Sequence, residues 1–274
     1  MKRGMGMVGL LATAIPWAGL LSAAVLLGGC ATSGAAPATT SEIQTAYDET
    51  EERRRARIRM ELAVGYFQQG QTTVALDELK QVIAADPTYP DAYNLRGLIY
   101  MRLADYSMAE ESFRRAVSLN PRDGNTIHNL GWMYCQQRRF DDAQKSFDQA
   151  LGTPMYGDRA KTLMAQGLCQ SRNGKPAEAE QSLARAYELD AGNPIIGYNL
   201  ASLMFDRGEL QRSQFLIRRI NNSQLSNAET LWLGIKVENK LGDRVAMNQL
   251  AGQLKRRFPQ SREAGRLDRG AFNE

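Results

Sequence analysis

Few side chains in this 274-residue sequence could carry covalent chemistry: three cysteines, Cys30, Cys135 and Cys169, and a single histidine, His128. Cys30 follows Leu27-Gly28-Gly29, at the end of an uncharged run from Val8 to Leu27 that begins shortly after Lys2 and Arg3. A positive end, an apolar middle and a small-residue exit are the order of a secretory signal. One histidine excludes a zinc site of the H-E-x-x-H type, which needs two. A Ser-His-Asp site would have to use His128, and no paired motif surrounds it. The glycines form no phosphate-cradling loop. Neither enzyme activity, a small-molecule substrate nor a cofactor is expected.

The segment ending at Cys30 resembles a bacterial lipobox. That resemblance implies a signal peptide over residues 1–29, a diacylglyceryl thioether on Cys30, and acylation (palmitate in the usual case) of its new amine. Stable anchoring takes at least two lipid signals, each buried methylene contributing about 0.8 kcal/mol, and a triacylated cysteine meets that condition. The alternative is an uncleaved spanning helix, for which the apolar run is just long enough. Pro16 and the glycines between Gly4 and Gly29 make it a poor one. Ala31 follows the cysteine, and similarity to enterobacterial lipoproteins then implies the outer membrane, facing the periplasm. Residues 30–55 read as a lipidated N-terminus and flexible linker, rich in Ala, Thr, Ser and Gly.

Loss of Lys2 and Arg3 leaves 32 basic against 30 acidic residues, a net charge of +2. No electrostatic case for nucleic acid survives that balance. A basic stretch from Lys255 to Arg269 reads as a solvated helix face, and residues 262–274 as a basic C-terminal tail.

From residue 56 the sequence repeats with a period of 34. Gly97 and Gly131 are 34 apart, as are Ala75, Ala109 and Ala143, while Pro87 and Pro121 close the first two units. The pattern resembles the tetratricopeptide repeat, which implies an all-α superhelical solenoid of about six helix-turn-helix repeats: 56–89, 90–123, 124–157, 160–193, 194–227 and 228–261. A two-residue insertion around Thr153–Tyr156 separates the third from the fourth. Small residues at the Gly and Ala markers let helix backbones approach, and large apolar residues fill the space between units. One unit cannot bury its apolar face alone, so at least three must stack.

First helices of such stacks line the concave side. Positions 2, 5, 9, 12 and 13 of each then face a groove. Unit one contributes Met60, Val64, Phe67 and Gln68; unit two Asn94, Leu98, Met101 and Arg102. Unit three gives His128, Trp132, Cys135 and Gln136, unit four Met164, Leu168 and Arg172, and unit five Tyr198 and Phe205. Methionine and aromatic side chains suit an adaptable protein-binding surface. The competing expectation is that half of these residues only pack against the neighbouring unit.

Cys135 and Cys169 fall on adjacent first helices, and an exported chain meets an oxidising compartment. A bridge requires Cα atoms closer than usual helix spacing, so a disulfide and two buried thiols both remain open on the residues alone.

Stretches beyond the generic repeat carry a narrower resemblance: Ile58 to Leu79, NLGWMYC from Asn129, GLCQSRNGKPAEAE from Gly167, LWLGIK from Leu231 and LKRRFPQS from Leu254. Together with the lipobox and tether they are similar to the type IV pilus biogenesis lipoproteins of the PilF/PilW pilotin family. That resemblance implies a disulfide between Cys135 and Cys169, as in the neisserial branch. It also implies a membrane-anchored scaffold that assists localisation or multimerisation of the pilus secretin, its protein partner, through the groove. The alternative, from a different class, is a general envelope adaptor recruiting peptidoglycan hydrolases or outer-membrane assembly factors.

Overall fold

The computed structural model describes residues 49–272, so the signal segment and Cys30 lie outside the described residues. Among the described residues six antiparallel helix pairs follow one another in chain order, and a short thirteenth helix comes after them. The pairs are α1 (Glu51–Gln68) with α2 (Thr72–Ala85), α3 (Pro90–Arg102) with α4 (Tyr106–Leu119), and α5 (Gly124–Gln136) with α6 (Phe140–Gly152). Next come α7 (Arg159–Arg172) with α8 (Pro176–Leu189), α9 (Pro194–Asp206) with α10 (Leu210–Asn221), and α11 (Ala228–Leu241) with α12 (Arg244–Arg257). The last element is α13 (Arg262–Asp268). The fold is the tetratricopeptide-repeat solenoid. Among the described residues no helix is long and apolar enough to cross a membrane.

Helix starts are written in local chemistry. Asp105, Asp123, Asn193, Asn227 and Asp243 each accept a hydrogen bond from a backbone N–H of the first turn, and prolines open α3, α8 and α9. These caps satisfy donors that no helix can satisfy internally. Within each pair the chain turns through one residue of positive φ: Gly70, Ala104, Arg138, Gly174, Gly208 and Gly242. Four are glycine, for which this conformation carries no steric cost.

The core repeats as well. Gly97 faces the Phe113 ring, Gly131 the Phe147 ring, and Gly167 the Leu183 side chain. Phe113, Phe147 and Leu183 are all fully buried. The Thr153–Tyr156 insertion does more than lengthen a loop: Tyr156 is buried against Ile127 and Ala150, its ring occupying the space beside Gly124.

Two expected boundaries shift. The linker was expected to run to residue 55, but α1 begins at Glu51. Thr50 caps it by accepting from the Arg53 amide, and Arg53 pairs with Asp86 and stacks over Tyr89. Residues 262–274 were expected as a tail, yet α13 stands 34 residues after the start of α11 and packs on α11 and α12. Its Ala264 is buried, Phe272 stacks on Trp232 at 5.6 Å between ring centroids, and Lys255 pairs with Asp268 at 2.6 Å. A first helix with no successor leaves an apolar face that something must cover, and this truncated seventh helix covers it.

The glycine positions give two variants of opposite sign. A Cβ at Gly97 would sit 2.6 Å from the Phe113 ring, whereas one at Gly65 meets nothing within 4 Å. Gly97→Ala is expected to lower unfolding stability by about 1–3 kcal/mol through overpacking. Gly65→Ala is expected to raise it by about 0.5–1 kcal/mol through helix propensity. Urea unfolding followed by circular dichroism measures both.

Candidate functional site

Successive first helices touch one another, α1 with α3, α3 with α5, α5 with α7, and α9 with α11. They therefore share one face of the stack. Met60, Val64, Phe67, Asn94, Leu98, Met101, Trp132, Met164 and Leu168 are all half-buried. Such residues rest against neighbours in their own stack and still offer apolar surface outward.

Polar contacts tie the face together from one repeat to the next. The Asn129 amide donates to Asn94 Oδ1 at 3.1 Å. Arg172 lies 5.2 Å above the Trp132 ring centre and donates to Gln136 Oε1 at 3.2 Å. Arg102 lies 5.5 Å above the Phe67 ring centre, with its Nη1 3.4 Å from the Phe67 carbonyl oxygen. Phe205 is buried beneath Lys236 and Lys240, 5.1 and 4.8 Å from its ring centre, so it supports the face without being offered by it. Burial pushes the Lys236 ammonium below its ordinary range, with Asp206 opposing that shift. Tyr198 is half-buried, and burial raises its phenol.

His128 is the correction. Expected in the groove, it is 5% exposed and points between units three and four. Thr162 Oγ1 lies 2.9 Å from its Nδ1 and 2.8 Å from the Tyr156 hydroxyl, and the Phe147 ring centre is 5.9 Å away. Thr162 holds the repeat position of Ile196, Thr230 and Ala264, all buried, and Tyr156 of the two-residue insertion reaches the same hydroxyl. Burial, helped by the nearby Lys161 charge and opposed by Asp158, holds the imidazole at a pKa of about 4. It is a packing residue in its neutral form.

Cys135 and Cys169 are joined as a disulfide, with Cα atoms 5.8 Å apart and both residues buried. That separation lies within the range a bridge requires. The bridge pins α5 to α7 beneath the Trp132–Arg172 contact, so the inter-repeat angle there is held covalently as well as by packing. One further buried group, Glu238, stands at no marker position of the repeat. It is 0% exposed and accepts from Arg218 Nε at 2.7 Å and from Gln214 Nε2 at 2.8 Å. A charge in the middle of an apolar helix with Arg and Gln about twenty residues earlier is a weak signal, legible only once the helix pairing is known.

Tetratricopeptide-repeat models match residues 65–103, 90–123, 128–194 and 172–230. The sequence is 27% identical over 204 residues to the type IV pilus assembly protein PilF of Pseudomonas aeruginosa, covering 74% of this chain and 81% of that one. The solved structure of Pseudomonas aeruginosa PilF has the same fold, with a TM-score of 0.70 at 23% identity over 81% of this chain and 100% of that one. That of PilW, a widely conserved type IV pilus biogenesis factor, gives a TM-score of 0.70 at 27% identity over 77% of this chain and 97% of that one.

The depressed His128 pKa has a pH consequence. The unfolded chain binds this proton near pH 6.5 and the folded chain only near 4, so acid favours unfolding across that window. Its contribution is complete above pH 6.5 and is lost as pH falls toward 4. From pH 7 to 4.5 the parent protein is expected to lose about 2 kcal/mol more stability than His128→Gln. Parallel urea titrations at the two pH values measure the difference, and equal losses would contradict the assignment.

Proposed function

We propose that this tetratricopeptide-repeat protein, a relative of the type IV pilus factors PilF and PilW, is an outer-membrane lipoprotein scaffold for pilus biogenesis. In this reading Cys30 carries the lipid that holds the chain at the membrane. The first-helix face grips the pilus secretin and assists its localisation or multimerisation.

One observation carries the binding half of the reading: the half-buried row of Val64, Leu98, Trp132 and Leu168 along helices that touch edge to edge. Each side chain still has apolar surface to lose, at about 25 cal/mol per Å² removed from water. Side chains already braced by neighbours give up little entropy when a partner arrives. The residue types are those of adaptable protein contacts, and no step of bond-making chemistry is needed. The anchoring half rests on the sequence around Cys30, whose order of charge, apolar run and small residues is that of an acylated export signal.

Two variants separate the halves. Leu98→Asp places a carboxylate in the apolar row without touching the Gly97–Phe113 contact. It is expected to cut secretin recovery on affinity-purified protein by about tenfold or more, since a buried uncompensated charge costs several kcal/mol. Cys30→Ala should leave the helical signal unchanged and shift the protein out of the outer-membrane fraction, together with loss of secretin multimers and of twitching motility. Normal piliation with envelope defects in a deletion strain would instead support a general envelope adaptor.

A further inference from the structure

We infer that the first-helix face takes an extended, apolar peptide segment bearing carboxylates, which meet a basic row recurring at every second repeat. This deepens the groove reading above and rests on it.

The row lies at the last position of each first helix, or the penultimate one in α11: Gln68, Arg102, Gln136, Arg172, Asp206 and Lys240. Cations stand only in units two, four and six. Each leans on an aromatic of the preceding repeat, Arg102 on Phe67, Arg172 on Trp132 and Lys240 on Phe205. All three are exposed. Among the described residues none has a carboxylate within salt-bridge distance, whereas Arg218 and Lys255, on second helices, pair at 2.7 and 2.6 Å. A cation held over an aromatic ring keeps its charge toward solvent while its stem is already placed. Asp206 interrupts the row in unit five, so attraction for an anion is strongest from Arg102 to Arg172.

Spacing selects the class of partner. Neighbouring first helices lie roughly 8–10 Å apart, so alternate repeats place their cations roughly 16–20 Å apart. An extended peptide advances about 3.3 Å per residue, which sets its acidic residues about five to six apart. A nucleic-acid strand carries a charge about every 3.4 Å and would leave most of them unmatched. Between the cations the face is apolar, as a peptide with apolar residues between acidic ones requires. The Asn94–Asn129 pair adds amide groups that can bond an extended backbone.

Fluorescence anisotropy on the purified mature lipoprotein in detergent tests this. The probes are labelled Val/Thr/Ser peptides of about fourteen residues with two glutamates about six apart, the same peptide with lysines instead, and one with adjacent glutamates. At low salt the spaced-glutamate peptide is expected to bind about tenfold more tightly than the lysine peptide, the gap narrowing as salt rises. The adjacent-glutamate peptide should bind more weakly than the spaced one. Arg102→Gln and Arg172→Gln should each weaken the spaced peptide about threefold without affecting the lysine peptide, and Arg102→Lys should keep most of the affinity. These positions are exposed, so unchanged thermal melts confirm that folding is intact.

Equal binding of the glutamate and lysine peptides, both abolished by Leu98→Asp, would overturn the acidic specificity and leave the groove reading standing. Failure of all the peptides would overturn both. Tighter binding of a single-stranded oligonucleotide of similar length would overturn the peptide assignment.

Discussion

The stack depends on how closely two helices of one repeat can approach, and a small residue facing a large one decides it. Gly97 meets Phe113, Gly131 meets Phe147 and Gly167 meets Leu183, each pair sixteen residues apart. The ring or branched side chain fills the space a Cβ would occupy, so the first helix cannot rotate or slide without opening a void. Units one and five use Ala63 with Leu79 and Ala201 with Ile217 at the same separation, all buried. Unit six reverses the sizes, with Ile235 on the first helix and Ala251 on the second. Large side chains are committed to the intra-repeat contact, which leaves the opposite side of each first helix free to differ from repeat to repeat. Binding chemistry can vary there without changing the fold.

Rigidity is concentrated at one junction of the stack. Units three and four hold the Trp132–Arg172 contact, the disulfide beneath it and the His128–Thr162–Tyr156 cluster. They also flank the insertion, the one place where the 34-residue period breaks. An extra pair of residues would ordinarily loosen the junction. Here it delivers Tyr156 into the seam, and the covalent bridge fixes the neighbouring helices at 5.8 Å between Cα atoms. Local irregularity and local cross-linking therefore fall at the same junction, where a partner-binding surface would otherwise lose its geometry.

Much of the architecture was legible because the period is carried by residues with a steric reason to recur. A glycine that must admit a ring and an alanine that must admit a backbone cannot drift, so the 34-residue spacing marks a repeat, and its resemblance to the tetratricopeptide repeat implies the solenoid. The face was legible as a set of positions and less so as individual residues. His128 has the register position of a groove residue, yet a hydroxyl from the next repeat and a tyrosine from the insertion draw it inward. Nothing at position 128 announces that; the signal lies in Thr162 and Tyr156, read together. Phe205 was placed on the face and lies under two lysines instead. The α13 cap was missed because a seven-residue helix with one buried alanine has almost no periodicity to detect.

The turns show how the repeat overrides local preference. Positions 70, 104, 138, 174, 208 and 242 all take positive φ, yet two of them are Ala104 and Arg138. For a residue with a Cβ that conformation costs roughly 1–2 kcal/mol, so the residue type at these two positions does not itself mark a turn. What holds it is the pair of helices on either side. Closing Gly97 on Phe113 and Gly131 on Phe147 fixes where each second helix must start, and only a left-handed residue spans the gap in three positions. Backbone hydrogen bonds then confirm the geometry, Asp105 to the Tyr100 carbonyl at 2.9 Å and Arg139 to the Tyr134 carbonyl at 2.9 Å. The same bond recurs at the glycine turns, as from Gln71 to Tyr66 at 2.8 Å. The turn is thus a consequence of the helix contact, and a strained residue persists there because the packing on both sides determines its conformation.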